Sequence, residues 1–346
     1  MQPHAKAHFA MTLLTTAAMA AWALARDDIA AAEAPAEPGP PPRVLLRSEV
    51  VAVTDSLAVF GAVVFNPGPA PIRCSLHIRA LGEGWKPRRS ADVSWEAEDG
   101  WSVGPPVEVS RLAPVAERVR IGRLAGSAGE VTAEADAFVE PPLPLAIGQQ
   151  VGWITGVDDP LAKAARALGV HVEAIPDLRS ADLAAYRSII VGDEAFRNDW
   201  AHVTDASLRL QQFAACGGKV IVGRVSDENW RLSFLPYDLI VDRGEALTGA
   251  IVAPTHPLFN APGELRDLRG VKSDRHIAVT AGQWQALVRD AELRPAVVEA
   301  PFGKGRFLVV IAGFDREVGV EKPEDAEVAR RCEAFIRNLM AYALRG

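Results

Sequence analysis

Residues 210–223 read LQQFAACGGKVIVG, and the chain continues through Arg224-Val225-Ser226-Asp227-Glu228-Asn229-Trp230. The pattern predicts a helix from Asp205 to Ala215, a stop at Gly217-Gly218, and a short apolar strand over Lys219–Val222. A strand that opens into a polar turn is where several α/β enzymes carry a nucleophile. Here the turn offers Arg224, Ser226, Asp227 and Glu228, with neither a cysteine nor a G-x-S-x-G elbow.

The same alternation extends on both sides. Upstream, Val151–Thr155 reads as a strand, and Asp158 or Asp159 caps a helix through about Leu168 that Gly169 ends. Strand His171–Ile175, a short helix near Leu183 and strand Ser188–Val191 follow. Downstream, Ala296–Ala300 and Arg306–Ala312 flank the turn Pro301-Phe302-Gly303-Lys304-Gly305. The last helix sets Val328, Cys332, Phe335, Ile336, Leu339 and Ala343 on one stripe. Strands alternating with helices predict a doubly wound, flavodoxin-like parallel sheet over 147–346, covered on both faces.

Pro141-Pro142-Leu143-Pro144 marks a boundary, because 43–140 has a different period. Cys74-Ser75-Leu76-His77-Ile78, Arg118–Ile121 and Val131–Ala137 alternate apolar and polar. Turn signals separate them at Asn66-Pro67-Gly68-Pro69, Gly82-Glu83-Gly84, Asp99-Gly100 and Gly104-Pro105-Pro106. Roughly seven short strands in about a hundred residues predict a β-sandwich. Within it VFGAVVFNPGPAPI, Val59–Ile72, resembles a hairpin of the immunoglobulin-like or fibronectin-like modules of exported bacterial proteins.

The first 25 residues read as a signal peptide. Lys6 precedes the apolar run FAMTLLTTAAMAAWALA, Phe9–Ala25, which closes on the small-x-small pattern Ala23-Leu24-Ala25 before Arg26-Asp27-Asp28. The expected location is periplasmic or secreted; an uncleaved run 9–25 would instead anchor the protein in the inner membrane. No cysteine follows the run to carry a lipid. Residues 26–42, rich in Pro and Ala, read as a tether. The formal net charge of −7 with interspersed signs disfavours nucleic acid, which needs a cationic face. Three scattered cysteines, Cys74, Cys216 and Cys332, make no disulfide framework and fall on apolar phases.

Four segments carry a resemblance: AYRSIIVGDEAF (Ala185–Phe196), LQQFAACGGKVIVG (Leu210–Gly223), THPLFNAP (Thr255–Pro262) and FGKGRFLVVIAGFD (Phe302–Asp315). In this order they resemble the class I glutamine amidotransferase-like superfamily. The branch they resemble most is the one without glutaminase activity, which includes trehalose-utilisation-type proteins and the trimerisation domain of some β-galactosidases. In active members the strand after Gly-Gly leads to a nucleophilic cysteine with a downstream histidine as base. This chain has Gly223-Arg224-Val225-Ser226-Asp227 there, and Cys216 lies before the strand, so thiol chemistry does not carry over. The resemblance implies a non-enzymatic binding or assembly role with an envelope protein or glycan as partner, and oligomer formation as an option.

The residues themselves add a rival. Ligands in open α/β sheets bind beyond the carboxyl ends of the strands. Asp158, Asp159, Asp193, Glu194, Arg224, Trp230, Asp315 and Arg316 are expected there, with Asp274, Arg275 and His276 from the insertion Ser233–Thr280. Ser226 and Asp227 with His256, or the carboxylates with His256 or His276, would make an ester or glycoside hydrolase. The bland reading of each is a cap or a turn residue. No histidine or cysteine spacing predicts a metal, and no glycine-rich motif predicts a nucleotide cofactor. Trp85 and Trp101 are the expected exposed platforms for a sugar ring, Trp95 an inside residue.

Overall fold

A computed structural model of the chain describes residues 40–54, 56–142, 147–155, 159–192, 195, 200–203, 205–223, 235–321 and 323–345. The chain divides into Met1–Pro41 and Pro42–Gly346, and the second unit is the one described below. The proposed signal segment and most of the tether lie outside the described residues.

Ten strands come first: β1 (Arg43–Arg47), β2 (Glu49–Val51), β3 (Leu57–Asn66), β4 (Ile72–Arg79), β5 (Trp85–Pro87), β6 (Asp92–Ala97), β7 (Gly100–Val103), β8 (Val107–Arg111), β9 (Val119–Ala128) and β10 (Val131–Glu140). They form two five-stranded sheets, β1-β3-β8-β5 with β7 also on β3, and β2-β10-β9-β4-β6. Ser48 is where the chain changes sheets: β1 runs antiparallel to β3, and β2 then lies parallel to β10. The period-two pattern places Leu76 and Ile78 of β4 inward, against Phe60, Val107, Val109, Ile121, Leu124 and Val139. The three additional strands are short, which is why alternation did not reveal them.

Trp85 corrects the sequence expectation. Pairing of β5 with β8 turns its ring into this core, where it is 6% exposed, with the Arg111 guanidinium 5.8 Å from the ring centre. Trp101 is half-buried, tilted against Phe65 at 5.0 Å. Trp95 is half-buried, and its ring fills the space beside Gly104.

The remainder is β11 (Gln150–Ile154), α1 (Pro160–Ala167), β12 (Glu173–Ala174), β13 (Tyr186–Val191), α2 (Ser207–Ala215), β14 (Lys219–Gly223), β15 (Leu239–Ile251), β16 (Lys272–Thr280), β17 (Gln285–Asp290), β18 (Pro295–Phe302), β19 (Gly305–Val310) and α3 (Ala326–Leu344). Its single sheet has the order β12-β11-β13-β14-β19-β18-β17-β15-β16. The first five strands are mutually parallel. The last four run antiparallel, each to its neighbours. The sheet is therefore mixed, and the molecule is a β-rich protein of several sheets. The parallel reading holds for half of this sheet, since the region from 239 to 302 adds antiparallel strands in place of helical crossovers.

Alternation sorts the parallel strands onto two faces. Trp153, Ile190, Ile221 and Leu308 pack against Leu161 and Ala165 of α1 and against Cys332, Phe335, Ile336 and Leu339 of α3. Ile189, Val191, Val220, Val222 and Phe307 pack against Leu210 and Phe213 of α2. Asp159 caps α1 through the Ala162 amide at 3.0 Å, and Gly169 at φ +78° ends the turn after it. The two glycine motifs meet: a Cβ on Gly305 would lie 2.0 Å from the Gly218 carbonyl oxygen. The hairpin turn thus seats on the stop that ends α2.

The second core does not end at the sheet. Val51, Val53 and Val59 of the sandwich belong to the same buried cluster as α2 and β14. Around it, the Val51 amide donates to Gln211 Oε1 at 3.2 Å, and Gln212 Nε2 donates to Glu140 Oε2 at 2.9 Å. Arg47 of β1 makes a buried ion pair with Asp238, just before β15. Gly61 leaves the room for that carboxylate, because a Cβ there would stand 2.1 Å from Asp238 Oδ2.

Candidate functional site

Asp158, Asp193, Glu194, Arg224, Ser226, Asp227 and Trp230 lie outside the described residues. Among the described residues, two candidates sit at the carboxyl ends of the parallel strands, Asp159 and Asp315. Asp159 is fully buried and spent on its helix cap, and a Cβ on the neighbouring Gly192 would meet its Oδ2 at 2.0 Å. Asp315 is 7% exposed and borders a cavity of about 10 Å³ with Gly223, Leu161, Val310, Phe314 and Leu339. That volume holds about one water and no larger ligand.

His256 begins the His-Pro turn, where Pro257–Phe259 forms a single 3-10 turn. Its Nδ1 accepts from the Leu258 amide at 3.3 Å, which places the ring proton on Nε2, 3.3 Å from Glu299 Oε2. Glu299 of β18 also accepts from Arg306 Nη1 at 3.0 Å and from the Tyr342 hydroxyl. Nearby, Lys219 Nζ donates to the Tyr342 carbonyl at 2.8 Å and to the Arg345 carbonyl, closing the end of α3 with a positive charge. Lys219, the first residue of β14, and Arg306, the second of β19, are register partners. The network therefore centres on the amino ends of the parallel strands, at the opposite end of β14 from Gly223.

The electrostatics follow from burial. Desolvation pushes the Glu299 carboxyl up, and hydrogen bonds from His256 and Tyr342 together with the Arg306 charge more than reverse it, leaving it below the usual range. Burial lowers the Lys219 amine to about 8 and, with the Glu299 charge, raises the Tyr342 hydroxyl. Of this cluster the sequence reading held only His256. The missed signal is a glutamate inside the otherwise apolar run Ala296-Val297-Val298-Glu299-Ala300, which demands buried partners.

Two other candidates do come together. Arg316 Nη2 lies 3.0 Å from Asp274 Oδ2, both side chains reaching solvent. They line a cleft of about 530 Å³ with Glu245, Leu247, Lys272 and Arg294. It opens where β15 changes partner, from β16 up to Leu247 to β17 from Thr248. A bulge there sets Gly244 and Glu245 against the single residue Asp274. A second cleft of about 520 Å³ shares Lys272 and Arg316 and adds Glu317 and Glu324. Arg275 is buried, and His276 is half-buried against Gly244, so neither joins this opening. Among the described residues no group of three or more potential metal ligands forms, and no helix is long and apolar enough to cross a membrane. Cys74 and Cys332 are buried free thiols, the latter pushed up to about 12 by desolvation; Cys216 is half-buried.

No family model matches the chain, and no curated protein matches it. Among solved structures, a cytoplasmic protein from Salmonella typhimurium is 14% identical, covering 66% of this chain and 97% of its own, at a TM-score of 0.37. An exo-beta-1,4-mannosidase from Opitutaceae bacterium strain TAV5 is 12% identical over 57% of this chain and 37% of its own, at 0.34. A candidate GMP synthase component from Thermoplasma acidophilum is 11% identical over 56% of this chain and 94% of its own, at 0.33. Likenesses at these TM-scores carry no argument about fold or function.

Proposed function

We propose that this chain is an exported, non-enzymatic binding or assembly protein. In this reading an immunoglobulin-like sandwich precedes an amidotransferase-like, flavodoxin-type half that lacks the nucleophilic cysteine, and the ligand is an envelope protein or a glycan. The parallel strands support the fold assignment: numbered along the chain from β11, their spatial order is second, first, third, fourth, fifth, the flavodoxin-type order. The observation that carries the non-enzymatic reading is His256. With Nδ1 accepting from the Leu258 amide and Nε2 engaged by Glu299, the ring keeps no lone pair with which to take a proton from a hydroxyl. The Asp274–Arg316 cleft, roomy and polar, falls in the size range of ligand sites.

The test pairs turnover with binding. Purified chain should hydrolyse ester and glycoside substrates no faster than its Ser226→Ala variant; a loss of about 100-fold on that substitution, the scale of general acid–base catalysis, would sink the reading. Binding of envelope proteins by cross-linking, or of glycans on an array, should weaken with Asp274→Arg and recover in part when Arg316→Asp is added, since the second change restores an ion pair in reverse.

A further inference from the structure

The two clefts beside Lys272 and Arg316 form one trough, because both residues line both openings. Among the described residues its charge is unbalanced. They bring three cations to the trough, Lys272, Arg294 and Arg316, and each is already matched: Lys272 to Glu324 at 2.8 Å, Arg294 to Asp290 at 2.7 Å and to Glu292 at 2.9 Å, Arg316 to Asp274 at 3.0 Å. Glu245 in one cleft and Glu317 in the other have no ion-pair partner among the described residues. Both add to the field that holds the Lys272 amine above its ordinary value, after the hydrogen bond and charge of Glu324. The rim is also apolar in places: Leu247, which lines the trough, is 48% exposed, and Leu293, in the Asp290–Arg294 turn, is 71% exposed. A concave surface of one net sign concentrates ligands of the other, and exposed leucines ask for apolar side chains, which a small polycation lacks.

We propose that this trough docks an extended basic segment of a partner protein, its Lys or Arg side chains facing Glu245 and Glu317 and its apolar ones facing Leu247 and Leu293. The inference rests on the binding reading above and narrows it to a protein partner. Extended segments bind by this combination of charge complementarity and side-chain pockets.

The experiment is fluorescence anisotropy on the full chain with a labelled dodecapeptide of alternating Lys and Val. Glu245→Lys with Glu317→Lys should raise its Kd about tenfold or more, while Glu96→Lys with Glu98→Lys, an equal charge change on the exposed surface of the sandwich, should leave it within about twofold. Leu247→Ser with Leu293→Ser should weaken the peptide about threefold and leave spermidine competition unchanged. Glu245→Gln with Glu317→Gln, which introduces no new charge, should give a smaller loss in the same direction. Equal weakening by both charge reversals, or no binding to the parent chain, overturns the proposal. If a Glu–Val peptide or an oligosaccharide binds instead, and Arg316→Ala removes it, the binding reading stands and the basic partner falls. If the parent chain binds none of these probes and hydrolyses an ester or glycoside, both fall.

Discussion

Lys219 shows how a single side chain acquires two duties. It begins a buried strand and its amine closes the carboxyl end of α3. Burial holds that amine at about 8 against an ordinary 10.5. Between those values the unfolded chain still binds a proton that the folded chain has released, so stability rises with pH across the window; below about 8 both states are protonated and the folded one carries the full cost of the buried charge. Denaturant unfolding of the parent and of Lys219→Met at pH 7.5 and pH 10 should therefore show the difference moving in favour of the parent at the higher pH. The legibility of the site was uneven at this scale. Asp274 and Arg316 were readable as candidates because charged residues after or between apolar strands are few. Glu245 and Arg294, which line the same cleft, were not, since nothing in a linear pattern says that a bulge will bring position 245 across from 274. Glu299 was readable in principle, as a charge no apolar run tolerates without partners, but which partners required the fold.

At the level of elements, boundaries marked by side-chain chemistry were the legible ones. Asp159, Gly169 and Gly217-Gly218 delimit helices as their chemistry requires, and the stripe of α3 from Val328 to Ala343 faces the sheet. The β15–β16 ribbon was read only as an insertion. Its ladder shifts register between Arg243 and Ala246, which scrambles the two-residue period on which a strand assignment depends. Two predictions belong here. Asp325 accepts from the amides of Glu327 at 2.8 Å and Val328 at 3.2 Å, so Asp325→Ala should cost about 1 kcal/mol in urea unfolding, the ordinary worth of a cap. Gly305→Ala should cost about 1–3 kcal/mol or more, because its methyl group would displace the backbone of Gly218 rather than a yielding side chain; a melting temperature unchanged from the parent would refute this contact.

For the whole molecule, the decisive features are the ion pair of Arg47 with Asp238 and the apolar cluster shared by sandwich and sheet. Burial pushes the Asp238 carboxyl up, and the Arg47 charge and hydrogen bond oppose it. Arg47→Met alone strands that carboxylate and should destabilise by about 3–5 kcal/mol, whereas adding Asp238→Leu should recover most of the loss, because an apolar pair needs no solvation. Both halves should unfold in one transition, with tryptophan fluorescence and far-ultraviolet circular dichroism tracing coincident curves. The change of period at residue 141 falls between β10, which closes the strands of the two five-stranded sheets, and β11, which opens those of the nine-stranded sheet. It said nothing of their joint core, since Val51, Val53 and Val59 read as ordinary strand residues until something packs on them.

That shared core has a consequence for heredity. The sandwich is not a cassette that recombination can lift out and splice onto another neighbour, whatever its outline resembles. A cut between Glu140 and Gln150 would leave a wet valine face on one fragment and a widowed aspartate on the other. Substitutions along Val51–Val59 and along α2 should therefore be inherited in matched pairs, the two halves descending as one lineage.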